Sequence, residues 1–409
     1  MWAELKQARY PVEIALLVAL CIFLPLVEAP KNLAWLLYVG AWLLNRVRAR
    51  NFGGPWDLWD SLFAGWIVSG YMVAAFAGLH GSEWGGAHEL ARYGLLGWLA
   101  KRGGYSAREL RLFLGALVVS VVVGLAQGYL RLWTGAAKSG TLQLHSVGHV
   151  NHTAIYIGIM LGVCVAWLFA RWRAWPLGRR ATALAVSTLV LVSLVVTASR
   201  GAIGAGLILL LVLASAWWPQ TRVPLVSMAC VVAVVVAAAI GFDTEVIRKQ
   251  QFVEANQRVL QDRDAMWRYG FVAWERFPLF GVGMDNYSLI TMDMVRDWRI
   301  QSGKDYDEKS FERTPHAHNL FVNTLVERGI VGLAALAAVL LAWLVSLIRN
   351  RPRSQADDRD WLIWGGAASA WIMTVVVGTV NTTLHHEHGM LATLLLGLWL
   401  SNQKNRPVS

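Results

Sequence analysis

An all-α, polytopic membrane protein is predicted by three features of this sequence. Of its 409 residues, 56% are apolar and only 15% charged, with 22 Trp; soluble domains carry about 25% charged residues. Apolar runs long enough to cross a bilayer recur along the chain. The basic residues are concentrated in alternate short loops, as membrane topology demands.

Taken in order, spans are expected near residues 11–29, 32–45, 60–79, 88–101, 109–130, 153–171, 181–198, 201–217, 223–241, 319–348, 361–382 and 390–401. Two of them, 88–101 and 390–401, are short, and the first carries Glu89 and Arg92. Omitting either would scramble the charge alternation, so about 12 transmembrane helices are retained. The first apolar stretch lacks a small-residue cleavage site and reads as a span that is kept. Loops on one side hold twenty basic residues, in clusters such as Arg46, Arg48 and Arg50. The opposite short loops hold four, Lys31, Arg131, Lys138 and Arg200. That bias places both termini in the cytoplasm.

All ten His then fall on the other side, with the long segment 242–318, whose 11 basic and 13 acidic residues nearly cancel. The expected organisation is spans one to nine over 1–241, a mainly helical extracytoplasmic loop over 242–318, and spans ten to twelve with a short cytoplasmic tail over 319–409. The net charge of +11 is explained by this topology, so no nucleic-acid partner is expected. Cys21, Cys164 and Cys230 lie in apolar stretches, with no C-x-x-C and no loop disulfide. No repeat of 20–50 residues is present. A transporter or flippase is the alternative of a different class, but most spans lack the central charges and inverted repeats typical of one.

The chain is organised around Thr314 to Gly332, TPHAHNLFVNTLVERGIVG. Thr314 suits a helix cap and Pro315 a first helical position, which predicts one 34-residue helix from Pro315 to Ile348. His318 then lies in its first turn, at or above the membrane surface, and Asn319, Asn323 and Glu327 share one face. The helix dipole disfavours imidazolium there, leaving His318 able to accept a proton near pH 7. An interfacial His bonded to a loop carbonyl is an equally good reading.

Arg200 ends a span in TASRGA, where Gly201 and Gly204 allow a ligand to approach; the alternative is a snorkelling anchor. Arg263, in LQDRDAMWRYGFVAW, shares a helix face with Trp267, Gly270 and Trp274. It can stack on Trp or reach an anion, and Arg258 and Arg268 compete for that role. The glycines of PLFGVGMDN lack the strand–helix setting of a dinucleotide site. His385, His386, Glu387 and His388 resemble metal ligands, but consecutive residues chelate one ion poorly. A polar lip to an outer cavity, shared with His145, His149 and His152, is expected instead, without metal. There is no Walker motif, G-x-S-x-G or D-x-D.

At His318 the spacing becomes specific. His318-Asn319, nine residues, Gly329, two residues, Gly332 resembles the H-[NSQ]-x9-G-x-x-[GTY] signature of the O-antigen ligase superfamily. That group contains O-antigen ligases, O-antigen polymerases and protein O-oligosaccharyltransferases. Ser199-Arg200-Gly201 and Arg263-x-x-Met266-Trp267 are similar to its two Arg positions. The chain departs from the pattern in the extra His316 and at Met266 or Trp267, where the family often has Leu. The resemblance implies a GT-C-like fold with a periplasmic loop, in the inner membrane of a Gram-negative bacterium. It implies transfer of a glycan from undecaprenyl diphosphate, the donor, to an acceptor hydroxyl, with no cofactor. His318 would be the base, and Arg200 and Arg263 would bind the diphosphate, with His316, Asn319, Arg258 and Arg268 as further candidate substrate contacts. For a ligase the acceptor is lipid A-core oligosaccharide. A polymerase is the nearest rival; a protein O-oligosaccharyltransferase is third, because the tail from Ser401 to Ser409 is shorter than that group implies.

Overall fold

A computed structural model describes residues 9–136, 141–217, 226, 259–352 and 356–404. The expected span 223–241 apart from residue 226, the first part of the expected loop (242–258, with Arg258) and Cys230 lie outside the described residues. The described chain is helical: α1 (Pro11–Phe23), α2 (Glu28–Ala49), α3 (Leu58–Ala75), α4 (Glu83–Arg102), α5 (Ala107–Trp133), α6 (Val150–Arg171), α7 (Leu177–Val196), α8 (Arg200–Ala216), α9 (Val259–Arg276), α10 (Met292–Gln301), α11 (Leu320–Arg349), α12 (Asp358–Gly378) and α13 (His386–Lys404). Among them α3, α5, α6, α7, α11 and α12 are long and apolar enough to cross a membrane, and α1 and α8 are shorter apolar helices.

Burial explains why the less apolar segments are nonetheless helices. The central layer is α6 against α12 and α4 against α13, with α12 and α13 also packed together. In α6 89% of the apolar window is buried and in α12 83%, against 28% in α7. Nearly every residue of α13 from Glu387 to Asn402 is covered, so its neighbours are protein. The polar residues of α4 are paired in the same way. Lys101 and Arg102 hold Asp60 of α3 at 2.6 and 2.7 Å. Such a group is stable inside a bundle only because each charge meets its opposite.

Residues 269–326 carry a second, smaller apolar core built from Tyr269, Val272, Ala273, Val282, Tyr287, Ile290, Val295, Ala317 and Val326. It joins α9 and α10 to the start of α11.

The 34-residue helix expected from Pro315 to Ile348 is corrected in two places. It starts at Leu320, because Asn319 is the cap: its Oδ1 accepts from Phe321 N and Val322 N at 2.9 and 3.0 Å. His318 therefore lies before the helix with φ +46°, not in its first turn. The helix also breaks at Gly329, where φ is 60° and ψ −165°, a region open essentially to Gly alone. The segment 278–283 fills the break. Val282 N and Gly283 N donate to the Val326 and Glu327 carbonyls, both at 2.9 Å, and Ile330 N donates to Pro278 O at 2.9 Å. A Cβ on Gly329 would collide with the Leu279 carbonyl and Phe280 N. One on Gly332 would meet the Arg328 side chain. The two glycines of the motif thus let the loop backbone and Arg328 close onto α11. Gly329→Ala is expected to cost about 1–3 kcal/mol from backbone strain alone, read as a lowered melting temperature of the detergent-purified protein. An unchanged melt would show that the break is not needed.

Candidate functional site

Tertiary contacts, not helix propensity, place His318. The residue before it, Ala317, is fully buried. Its carbonyl accepts from Trp267 Nε1 of α9 at 2.9 Å, and its N–H donates to Asn323 Oδ1 of α11 at 3.0 Å. These bonds pin the backbone on the N-terminal side of His318 while Asn319 caps α11 on the other. The imidazole itself is half-buried, in the neighbourhood of the Asn381 side chain beyond the end of α12. Burial first, and then the Arg263 guanidinium, hold its pKa below the ordinary His value; the Asn381 side chain opposes them. The sequence argument for a neutral imidazole invoked the helix dipole; here burial and a nearby cation lead. His316 lies beside it, ring centroids 4.2 Å apart, and is pushed down to about 4 by burial, then by His318 and His149.

Arg263 on α9 is half-buried. Its pKa is lowered by burial and, secondarily, by Arg200 at the start of α8. So three residues from three separate elements, Arg200, Arg263 and His318, share one electrostatic neighbourhood. One guanidinium acting on another that is partly out of water favours an anion near the pair. Arg200 also begins a helix of 17 residues, whose N-terminal N–H groups add to that field.

The other candidates fare differently. Arg268 is exposed, ion-paired with Asp264, and donates to Ser310 O at 3.0 Å, so its charge is already committed to the loop. Asn319 is committed as the helix cap, and its Nδ2 donates to Thr379 O at 2.9 Å. That locks α11 to α12 and turns its amide away from an acceptor role.

Beside this group is a cavity of about 330 Å3. Trp66, Leu90, Met284 and Leu336 form apolar wall, while Glu89, Asp285, Asn323, Glu327 and Arg328 present polar groups. His152, His316, His385 and His386 line it too. Of the sequence-derived pair, His316 and not His318 is on that lining. Five of the six non-glycine residues with positive φ among the described residues, Ala198, Asp285, His318, Leu384 and His386, belong to or adjoin this region. Backbone strain concentrated this way is common where groups must be aimed.

Two residues here were not among the sequence candidates. Asn381 is one polar residue among several after a span, and nothing in its spacing ties it to His318. Arg328 sits within the nine-residue interval of the motif; it is buried and donates to Ser69 Oγ of α3 at 2.8 Å. A buried Arg in a spanning helix is itself a signal of function, and that signal was available.

Comparison with family models matches residues 185–337 to the family described as O-antigen ligase. The matched segment contains Arg200, Arg263, His318, Gly329 and Gly332. No curated protein matches the chain.

Proposed function

We propose, for a chain whose residues 185–337 match the family described as O-antigen ligase, that it is the ligase itself and not a polymerase. It transfers O-antigen from undecaprenyl diphosphate to a sugar hydroxyl of lipid A-core at the periplasmic face of the inner membrane. The observation that supports the chemistry is that Arg263 of α9 bears electrostatically on His318, in the loop before α11, and is itself acted on by Arg200 of α8. The acceptor oxygen forms a bond to the anomeric carbon of the donor sugar. His318 takes the hydroxyl proton. The bond from that carbon to the diphosphate oxygen breaks, and its electron pair leaves on the diphosphate. Arg200 and Arg263 stabilise the charge that develops there. A guanidinium fork can hold two oxygens of the leaving group, so no metal is needed at the diphosphate. A polyprenyl tail must stay in lipid while its diphosphate reaches the surface. That is where a base just outside α11 would stand.

In this reading about twelve spans surround the site, the segment 242–318 is the periplasmic loop, and both termini are cytoplasmic. Residue Ser302, exposed at the end of α10, should react as Ser302→Cys with an impermeant thiol reagent from the periplasm, and Ser409→Cys only from the cytoplasm. Labelling of position 302 solely from the cytoplasm would invert the topology and place His318 on the wrong side for this chemistry.

Deletion of the gene tests the activity. Loss of a ligase leaves bare lipid A-core on a lipopolysaccharide gel while lipid-linked polymer accumulates. Core bearing a single repeat would mean a polymerase. An unchanged lipopolysaccharide with lost protein glycosylation would mean a protein O-oligosaccharyltransferase.

A further inference from the structure

Four His residues on or beside the cavity wall, His152, His385, His386 and His388, are not used by the chemistry above, and none lies in the matched segment 185–337. His152 comes from the first turn of α6, whereas His385, His386 and His388 come from the α12–α13 junction and the start of α13. They are remote in sequence, yet the His152 ring lies 4.5 Å from His385, 5.0 Å from His386 and 5.4 Å from His388, centroid to centroid. One nitrogen from each of His152, His385 and His386 can be chosen so that all three lie within 4.8 Å of one another.

Two independent features show that the cluster is shaped for a ligand. His388 is 1% exposed, and neither of its ring nitrogens has a hydrogen-bond partner. A buried imidazole left that way costs free energy that a bound cation would recover. His388 packs 4.8 Å from His385, on the cluster. In addition His385 Nε2 lies 3.2 Å from the Thr382 carbonyl. Only an N–H can donate there, so the lone pair is on Nδ1. A ring N–H held by a backbone carbonyl, with the other nitrogen open, is the arrangement that orients metal-ligating His. Glu387, between these residues, is not available, because it is buried and paired with Lys31 and Ser146.

We propose that His152, His385 and His386, with His388 as fourth ligand, bind one transition-metal dication of the zinc type. The donor set is all imidazole nitrogen, without thiolate or a free carboxylate, which favours zinc and its neighbours over calcium or magnesium. The objection from sequence was that consecutive His chelate one ion poorly. It is removed by His152, which supplies a ligand from a different helix, opposite the run. Closing four nitrogens to about 2.0–2.1 Å from an ion draws the α12–α13 junction onto α6 and fastens that wall of the cavity. The ion is structural in this role and does not touch the diphosphate.

The test uses full-length protein purified in detergent through a tag without His, stripped with chelator and dialysed. Titration with Zn2+ should show about one equivalent bound per chain, and Co2+ in its place should give the visible spectrum of a tetrahedral nitrogen site. His152→Ala and His385→Gln should each weaken Zn2+ binding by more than about 100-fold, since even an outer-sphere partner is worth 10–100-fold. His80→Ala with His88→Ala should bind as the parent does. Melting temperature without metal reports the folding of each variant, and a raised melt on adding Zn2+ should be seen in the parent and lost in the variants that fold. No stoichiometric binding by the parent, binding unchanged in His152→Ala and His385→Gln, or loss of it in the His80/His88 variant would overturn the proposal. None of these readouts depends on glycan transfer.

Discussion

His318→Ala loses glycan transfer by about 10²–10⁴-fold, the range of a general base, while still folding and binding the lipid-linked donor. His316→Ala loses much less. The two imidazoles are 4.2 Å apart, so a comparison at matched membrane abundance is demanding. It is His318 that has Asn381 as a side-chain neighbour and Arg263 as a neighbouring cation, and its backbone is clamped through Ala317 and Asn319. His316 instead faces the cavity, where it can touch the acceptor without taking its proton. The pH profile gives a second reading of the same assignment. The active form of a base is the neutral one, so transfer rises with pH through the His318 pKa and then levels. Burial and Arg263 lower that pKa, which puts the rising limb below the ordinary His value of about 6.5. Arg263→Gln removes one lowering influence and should move the limb to higher pH in whatever activity remains. Near-normal transfer by His318→Ala, or a dead His316→Ala beside it, would falsify the assignment.

Much of the fold was legible because hydrophobic burial leaves a direct mark on sequence. The apolar runs at 109–130, 153–171 and 361–382 became α5, α6 and α12. Helices such as α4 and α13 were harder, since protein and not lipid surrounds α13, and polar groups such as Lys101 are satisfied by partners remote in sequence. The start of α11 was misread for a different reason. Thr314 and Pro315 obey local helix-start chemistry, but the bonds from Trp267 and Asn323 to Ala317, and the Asn319 cap, outweigh it. The break at Gly329 was equally hidden: Gly in a helical pattern signals only permissiveness, and the turn segment 278–283 that exploits it is remote in sequence. For the candidate site, the types of residue were readable and their geometry was not. His318 is a candidate from motif spacing, and Arg200 and Arg263 are candidates from their places at a span end and on a helix face; the substitutions proposed here test all three. Asn381 and the role of His152 opposite His385 depend on which helices meet, which no local pattern records.

Arg200→Lys and Arg263→Lys each reduce transfer by about 10²–10³-fold, comparable to removing one preorganised donor from a site of developing negative charge. The substitution keeps a positive charge and removes the planar fork, so it separates two-oxygen recognition from general attraction. The environment of Arg263 makes the larger loss expected there. It is half-buried, and its charge is opposed by burial and by Arg200, so an anion bound there is favoured more by Arg263 than by a cation in water. A lysine at 263, whose pKa is more readily lowered by burial, would relieve that opposition by losing its proton. Arg200 is exposed at the helix start, where Lys can still reach an oxygen in water. Donor affinity should therefore fall more for Arg263→Lys than for Arg200→Lys, measured with lipid-linked donor and no acceptor present. Arg328→Lys provides the contrast, because Arg328 ties α11 to Ser69 of α3; its substitution should lower the melting temperature more than it weakens donor binding. Full transfer by both Lys variants at positions 200 and 263 would reduce those residues to generic charge, and a loss of donor binding confined to Arg328→Lys would move the diphosphate from the α8–α9 pair into the cavity.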